Sequence, residues 1–155
     1  MIEYRDGDLF TSGANVLVNP VNCIGTMGAG LAPIFKERFH DESQVYIEEA
    51  RRGRVRIGRM VVVPCTGTPP PKWICHFPTK MHWHAPSELE FICLGLEHLW
   101  VFAKALDFGT VALPALGCGR GGLDWTEVRA EIERYLGDAS CNTEWWVYLP
   151  HVAYR

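Results

Sequence analysis

Short uninterrupted apolar runs alternate along the chain with longer stretches in which apolar residues recur at helical spacing. Strands are predicted at residues 2–5, 14–18, 59–63, 73–77, 110–113 and 145–149. The apolar runs 14–18 and 110–113 predict buried strands. The longer stretches predict helices after residue 31, from 41 to 52, after 87 and after 124. Because helices and strands alternate, the pattern predicts an α/β fold with a mostly parallel sheet covered on both faces.

Three sequence signals predict where helices begin. Asp41 is typical of an N-cap, and so are Ser87 and Asp124, which are each followed three residues later by a glutamate. The strongest apolar stripe belongs to the helix after Ser87 and comprises Leu89, Ile92, Leu96, Leu99, Phe102 and Leu106. Such a stripe indicates a helix that packs one side on the core.

Two glycine-rich stretches, residues 19–30 and 113–125, each follow a predicted strand and precede a predicted helix. Free backbone N–H groups at such a turn bind phosphate well. Two loops of this kind predict a clamp for a nucleotide diphosphate. The alternative is that they are tight strand-to-helix turns with a structural role only. Residues 117–122 match G-x-G-x-x-G, but a dinucleotide site is disfavoured because Glu144 precedes the one strand that follows.

The composition is that of a folded chain with one domain. Of its 155 residues, 48% are hydrophobic and 21% are charged. The six cysteines show no C-x-x-C spacing, which disfavours zinc and redox motifs and favours a reducing compartment. No apolar run reaches membrane-spanning length, and the first residues lack a signal-peptide pattern, so we expect a cytoplasmic protein without membrane contact.

The net charge of −3 disfavours binding of duplex DNA mainly through its phosphates. A local exception is a cluster of arginines within nine residues, namely Arg51, Arg52, Arg54, Arg56 and Arg59. A solvated helix end with its turn, or a local nucleic-acid contact, both fit this cluster. The histidines of the 76–84 stretch lack cysteine or carboxylate ligands at metal spacing, so neither a metal nor a cofactor is predicted.

Several motifs together resemble the macrodomain family, the ADP-ribose-binding fold. They are Gly7-Asp8-Leu9-Phe10, Val18-Asn19-Pro-Val-Asn22, Met27-Gly28-Ala-Gly30 and Pro114-x-x-Gly117-Cys-Gly119. Two further stretches resemble the DNA ADP-ribosyl glycohydrolase antitoxins (the DarG type) within that family, namely Phe77-Pro-Thr-Lys80-x-His82-Trp83 and Gly121-Gly-Leu-Asp-Trp125. The resemblance covers essentially the whole chain. It implies one three-layer α/β/α macrodomain over residues 1–155, with a mixed, mostly parallel central sheet.

The resemblance also implies an ADP-ribose site. Asp8 would accept a hydrogen bond from the adenine amino group with Leu9 behind it, Tyr148 or Pro150 would wall the adenine, and Asn22 would hold the distal ribose. Taken alone, Asp8 is typical of a turn and Asn22 of a loop cap. The glycine loops would supply the other contacts: Gly28 and Gly30 at the distal ribose and its phosphate, and Gly117, Cys118, Gly119, Arg120, Gly121 and Gly122 around the diphosphate.

Lys80 is the candidate catalytic residue, again by resemblance. An amine in a desolvated cleft loses proton affinity and acts as nucleophile or base, whereas a charged amine would stabilise the leaving group or position the phosphate. The sequence leaves these roles open. His82 and Trp83 are candidate DNA contacts, with Trp83 either stacking on a nucleobase or packing under the following helix.

The implied function is an ADP-ribosyl glycohydrolase that removes ADP-ribose from thymidine in single-stranded DNA. Its partners would be ADP-ribose, ADP-ribosylated DNA and a cognate DNA ADP-ribosyltransferase toxin. Two alternatives are a non-catalytic ADP-ribose reader and a hydrolase of a small ADP-ribose derivative. The reader is favoured by Ala29, which replaces the lysine of the branch's Met-Gly-Lys-Gly loop, and by the lack of a second-loop carboxylate.

Overall fold

The computed structural model describes residues 1–151. It contains a six-stranded sheet with helices on both faces. The strands are β1 (Ile2–Arg5), β2 (Val16–Asn22), β3 (Val61–Pro64), β4 (Trp73–Lys80), β5 (Thr110–Leu113) and β6 (Glu144–Tyr148). The helices are a 3₁₀ turn (Leu9–Thr11), α1 (Ala32–Arg38), α2 (His40–Arg51), α3 (Leu89–Ala105) and α4 (Trp125–Leu136). None of the helices within residues 1–151 is both long and apolar enough to cross a membrane.

The strand order is β1-β6-β5-β2-β4-β3, with every neighbouring pair parallel except β3 and β4. Helices α3 and α4 cover one face, where Leu96, Leu99 and Trp145 are fully buried. Helices α1 and α2 cover the other face around Phe35 and Tyr46. The predicted α/β class, with its mixed and mostly parallel sheet in three layers, is confirmed.

Strands β2 and β4 both continue through a proline and therefore end later than the sequence predicts. The pairing of β2 with β5 ends at Leu17, and β3 pairs with β4 only as far as His76. Beyond these points each strand has one side without a partner strand, where the missing N–H of Pro20 or Pro78 costs no ladder hydrogen bond. Lys80 is therefore the last residue of β4 rather than a loop residue beyond it.

Only one of the three predicted N-caps is found. The Asp124 carboxylate accepts a hydrogen bond from the Thr126 N–H at 2.9 Å and caps α4. Asp41 lies inside the first turn of α2, which begins one residue earlier. The prediction of Ser87 as an N-cap was wrong, because α3 begins at Leu89 and Glu88 occupies the cap position. The Ser87 N–H donates instead to the carbonyl of Gly121 at 3.1 Å.

A buried polar network joins the sheet to α2. His76 is fully buried, with Nε2 at 3.1 Å from the carbonyl oxygen of Glu42 and Nδ1 at 3.1 Å from the side-chain amide of Asn19. Because a carbonyl only accepts, Nε2 carries the proton and Nδ1 accepts from Asn19. Tyr46 stacks on this ring at a centroid distance of 5.2 Å. Burial lowers the pKa of His76 from 6.5 to about 4, so the neutral ring is the native form.

We predict that acid destabilises the fold through His76. A histidine with a lowered native pKa stabilises the fold fully above its unfolded value of 6.5, and this stabilisation is lost as pH falls through about 4. The loss is at most roughly 3 kcal/mol. His76→Gln keeps one donor and one acceptor without titrating, so urea unfolding of this variant should show a flatter dependence on pH between these values.

His40→Gln makes the same substitution on an exposed residue at the start of α2 and is the matched control. Burial and the charge of Arg59 also lower the pKa of His98, which adds a contribution of the same sign to every variant. A wild-type slope in His76→Gln would contradict the assignment.

Candidate functional site

The carboxyl ends of β2, β4, β5 and β6 meet at one edge of the sheet and border a cleft of about 670 Å³. This volume lies within the range of small-ligand sites. Among the described residues that line it there is no aspartate or glutamate, whereas Lys80 and Arg120 both contribute to its wall. The cleft therefore suits an anionic ligand.

Most of the predicted site residues come together here. Those that line the cleft are Leu9, Asn22, Gly28, Gly30, Lys80, Trp83, Gly117, Gly119, Arg120, Gly121, Tyr148 and Pro150. Four others, Asp8, His82, Cys118 and Gly122, do not line it. Thr26, Thr79 and Ala115 also line the cleft. They lie within the stretches that the sequence singled out, but no role was predicted for them individually.

The side chain of Asn22 shapes the first glycine loop. Its Oδ1 accepts hydrogen bonds from the N–H groups of Ile24 and Gly25, both at 3.1 Å, and of Thr26 at 3.3 Å. Its Nδ2 donates to the carbonyl of Thr26 at 2.9 Å, and the Tyr46 hydroxyl donates to the carbonyl of Asn22 at 2.7 Å. Asn22 thus acts as a loop cap, and its predicted ribose contact has at most one Nδ2 hydrogen left to use.

The same turn fixes the position of Lys80. The N–H of Cys23 donates to the carbonyl of Lys80 at 3.0 Å, so the end of β4 is tied to the first loop. The register of β2 and β4 shifts between Val21 and Asn22, which places Asn22 opposite Lys80 and leaves Thr79 without a paired residue. An irregularity of this kind changes the direction of the side chains that follow it, and such bulges are common beside functional sites.

The amine of Lys80 has a partly desolvated environment with a second cation nearby. Its Nζ lies 3.4 Å from the carbonyl oxygen of Trp83. Burial lowers the pKa of Lys80 below its ordinary value, and the positive charge of Arg120 lowers it further. Both effects increase the fraction of uncharged amine at a given pH.

The second glycine loop offers N–H groups to the cleft. Within residues 1–151, the N–H groups of Gly119, Arg120 and Gly121 donate to no protein acceptor. The N–H of Cys118 donates to the carbonyl of Ala115 at 3.1 Å, and that of Gly122 donates to Gly119 at 3.2 Å. The N–H groups of Cys118 and Gly122 are thus used inside the loop, and their predicted diphosphate contacts stay predictions that would require these bonds to be shared or broken.

Cys118 also lacks the properties of a nucleophile. Its side chain is 2% exposed, and burial together with the charge of Asp124 raises the pKa of its thiol to about 12. All six cysteines are free thiols. In the described part of the chain, no three histidine, cysteine or acidic side chains come close enough together to hold a metal ion.

The second loop and the segment before α3 touch each other closely. Gly121 is buried, and a Cβ at this position would overlap the Ser87 hydroxyl and the carbonyl of Gly117. Gly117 itself has a φ of +75°, which favours glycine. Gly119 differs, because a Cβ there would have no neighbour within 4 Å. Only some of the loop's glycines are therefore required by packing.

Two predicted residues lie just outside the cleft. The Asp8 carboxylate accepts a hydrogen bond from the Phe10 N–H at 2.9 Å and caps the 3₁₀ turn, next to the cleft residue Leu9. The ring of His82 is half-buried and packs on His84 at a centroid distance of 3.9 Å. Trp83 is 58% exposed at the cleft and contacts both histidines, so it is an exposed aromatic surface rather than a core residue.

A mixed sheet between two helical layers, with two glycine loops enclosing a cleft at its carboxyl edge, defines the macrodomain class. The Macro domain family model matches residues 18–132, and the chain belongs to this family. The resemblance seen in its motifs is confirmed.

Similar proteins carry more specific names. A DNA ADP-ribosyl glycohydrolase of Mycobacterium tuberculosis is 45% identical over 132 residues, which cover 85% of this chain and 38% of that protein. The macrodomain of M. tuberculosis DarG superposes with a TM-score of 0.93 at 40% identity, covering 97% of this chain and 99% of that one. The structure described as Thermosipho africanus DarTG in complex with ADP-ribose superposes with a TM-score of 0.89 at 31% identity, covering 99% of this chain and 42% of that one. The chain spans about two fifths of the length of the DNA ADP-ribosyl glycohydrolases of M. tuberculosis and Thermus aquaticus that it matches.

The two loop glycines give a paired prediction. Gly121→Ala should lower the free energy of unfolding by roughly 1–3 kcal/mol, because the added methyl group meets the Gly117 carbonyl and Ser87. Gly119→Ala should leave it within about 0.5 kcal/mol of wild type, because the methyl group points into open space. Chemical denaturation of both variants checks this, and equal stabilities would show that the loop does not pack as described.

Proposed function

We propose that the chain is an ADP-ribosyl glycohydrolase that removes ADP-ribose from thymidine in single-stranded DNA and so reverses a DNA ADP-ribosyltransferase toxin. The observation that carries the proposal is the position of Lys80, which ends β4 in the wall of a cleft whose lining within residues 1–151 contains no aspartate or glutamate. Two similar proteins support it: one is named a DNA ADP-ribosyl glycohydrolase, and another is described in complex with ADP-ribose.

The ligand is proposed to lie along the carboxyl edge of the sheet. Leu9 and Tyr148, both mostly buried at one end of the lining, would contact the adenine, with Asp8 beside them. The free N–H groups of residues 119–121 and the guanidinium of Arg120 would hold the diphosphate. The first loop, through Gly28 and Gly30, would border the distal ribose near Lys80.

Lys80 is proposed to act in its uncharged form. The amine either attacks the anomeric carbon of the distal ribose or takes a proton from an attacking water, and both roles need a free electron pair. The bond between the anomeric carbon and the thymine base breaks, and its electron pair leaves with the base. Water supplies the hydroxyl group of free ADP-ribose and the proton of the restored thymidine. The described lining contains neither of the two carboxylates that an ordinary glycosidase mechanism requires.

Trp83 is proposed to stack on a nucleobase of the DNA strand. Its ring is exposed at the cleft, and stacking on single-stranded DNA needs no basic overall charge. His82, which lies outside the cleft, would support this ring through their packing contact, with centroids 5.7 Å apart, rather than contact DNA itself.

A non-catalytic ADP-ribose reader is the second candidate. It is favoured by the lack of a carboxylate to assist Lys80 among the described lining residues. A reader would bind ADP-ribose with the same loops and release nothing from modified DNA. A hydrolase of a small ADP-ribose derivative would turn over that derivative and leave modified DNA intact.

We predict that Lys80→Ala strongly slows release but preserves binding. The variant should release ADP-ribose from a thymine-ADP-ribosylated oligonucleotide at least about 100-fold more slowly, because the reacting amine is gone. Its affinity for free ADP-ribose, measured by calorimetry, should stay within about threefold of wild type, since the loops supply that binding. Lys72→Ala, on the exposed residue just before β4 at the opposite end of the strand, is the matched control and should behave as wild type.

The alternatives would give different results in this assay. If the wild-type protein binds ADP-ribose and releases none from the oligonucleotide, the glycohydrolase proposal fails and the reader is favoured. If Lys80→Ala releases ADP-ribose at the wild-type rate, the reaction proceeds without this lysine.

We also predict a shift in the pH profile on loss of Arg120. If uncharged Lys80 acts, kcat/KM rises with pH towards the lowered pKa of this amine. Arg120→Gln removes a positive neighbour and thereby raises the pKa of Lys80, so the midpoint of the profile should move to higher pH. Arg129→Gln, on the exposed surface of α4, should leave the midpoint unchanged. A rate that falls with rising pH would show instead that the charged lysine acts.

A further inference from the structure

The arginine segment, residues 51–59, lies at the same sheet edge as the cleft. Strand β3 is antiparallel to β4, and Val61, its first residue, pairs with His76. The chain that enters β3 therefore comes from the edge where β4 ends at Lys80. The segment is one strand further out than this lysine, since neighbouring strands are about 4.8 Å apart.

Contacts with the first glycine loop confirm this placement. Burial raises the pKa of the Cys23 thiol, and the nearby backbone of Ile57 opposes this rise. Ile57 therefore lies close to the residue whose N–H binds the Lys80 carbonyl. A Cβ on Gly25 would lie 3.1 Å from the Cβ of Ala50, so the end of α2 also touches this loop. The arginine segment and the cleft are thus on opposite sides of one loop.

The segment is held in a defined conformation. Val55 and Met60 are each 4% exposed and anchor it in the two cores. The N–H of Met60 donates to His98 Nδ1 at 2.9 Å, and the N–H of Arg59 closes a turn on the carbonyl of Arg56 at 3.1 Å. The arginine side chains consequently start from fixed backbone positions, which reduces the entropy lost when they bind a partner.

The charges of the segment are only partly neutralised. Arg51 and Arg52 pair with Glu48, and Arg54 pairs with Glu49. Arg56 and Arg59 are exposed, and neither forms an ion pair with any residue in the range 1–151. Five arginines against these two glutamates leave a surplus of three positive charges on a chain whose net charge is −3. This surplus favours a polyanionic partner at the mouth of the cleft.

We infer that Arg56 and Arg59 bind phosphates of the single DNA strand that flanks the modified thymidine. The inference rests on the proposed function and adds a path for the strand, which leaves the cleft past Trp83 and continues over the arginine segment. A flexible single strand can follow this local patch, whereas the acidic remainder of the surface disfavours a duplex. Phosphate contacts of this kind add affinity without reading sequence.

The test compares binding in the Lys80→Ala background, where the proposed function predicts no turnover. The probes are ADP-ribose alone and a single-stranded oligonucleotide with one ADP-ribosylated thymidine and unmodified nucleotides on both sides. Fluorescence anisotropy over a range of salt concentrations measures the affinity for the oligonucleotide, and calorimetry measures that for ADP-ribose. The test variant carries Arg56→Gln with Arg59→Gln, and the control carries Arg129→Gln with Arg134→Gln, which removes the same charge from α4.

We expect the test variant to bind the oligonucleotide about 10-fold more weakly at low salt. The slope of log affinity against log salt should fall by about 1.4, since each lost phosphate contact on a single strand contributes about 0.7. Affinity for ADP-ribose alone should not change, and the control should match the parent.

An unchanged affinity and slope in the test variant would overturn the inference and leave the proposed function intact. The inference also fails if the parent binds the oligonucleotide no more tightly than ADP-ribose. Failure of the proposed function is measured separately, as no release of ADP-ribose by the wild-type protein.

Discussion

The side-chain oxygen of Asn22 accepts hydrogen bonds from Ile24, Gly25 and Thr26 and thereby turns the chain at the end of β2. The N–H of Cys23, the residue directly after Asn22, donates to the carbonyl of Lys80, so this turn also fixes the end of β4. Tyr46 adds α2 to the arrangement through its bond to the Asn22 carbonyl. The first loop, the lysine and the helix behind them therefore keep their relative positions through one turn, which the Asn22 carboxamide closes and in which an unpaired buried polar group would be costly.

Electrostatics then determine what the cleft can hold. A wall with Lys80 and Arg120 and no described carboxylate attracts a diphosphate, and open N–H groups of the second loop add directed donors. A bound diphosphate raises the proton affinity of a nearby amine, whereas burial and Arg120 lower it. In the proposed site Arg120 has two compatible effects, since it would neutralise the ligand's charge and it lowers the pKa of Lys80 in addition to burial.

Local signals in the sequence predicted the parts of the fold that depend on local chemistry. The strand Thr110–Leu113 and the Asp124 cap are found as expected, because an apolar run and a capping aspartate act within a few residues. The extension of β2 and β4 through prolines was missed, since it depends on where neighbouring strands stop. Ser87 was misassigned because its N–H binds a loop more than thirty residues away. The cleft followed from motif resemblance, whereas Thr79 enters it through a register shift that no local pattern shows.

A crystal structure of the protein with ADP-ribose bound tests the central claim most directly, through the distance between Lys80 Nζ and the anomeric carbon of the distal ribose. We expect the diphosphate to contact the N–H groups of residues 119–121 and the anomeric carbon to face Nζ at about 3–4 Å. A ligand bound in the reverse direction, with adenine beside Lys80, would contradict it. So would a ligand whose anomeric carbon lies beyond the reach of this amine.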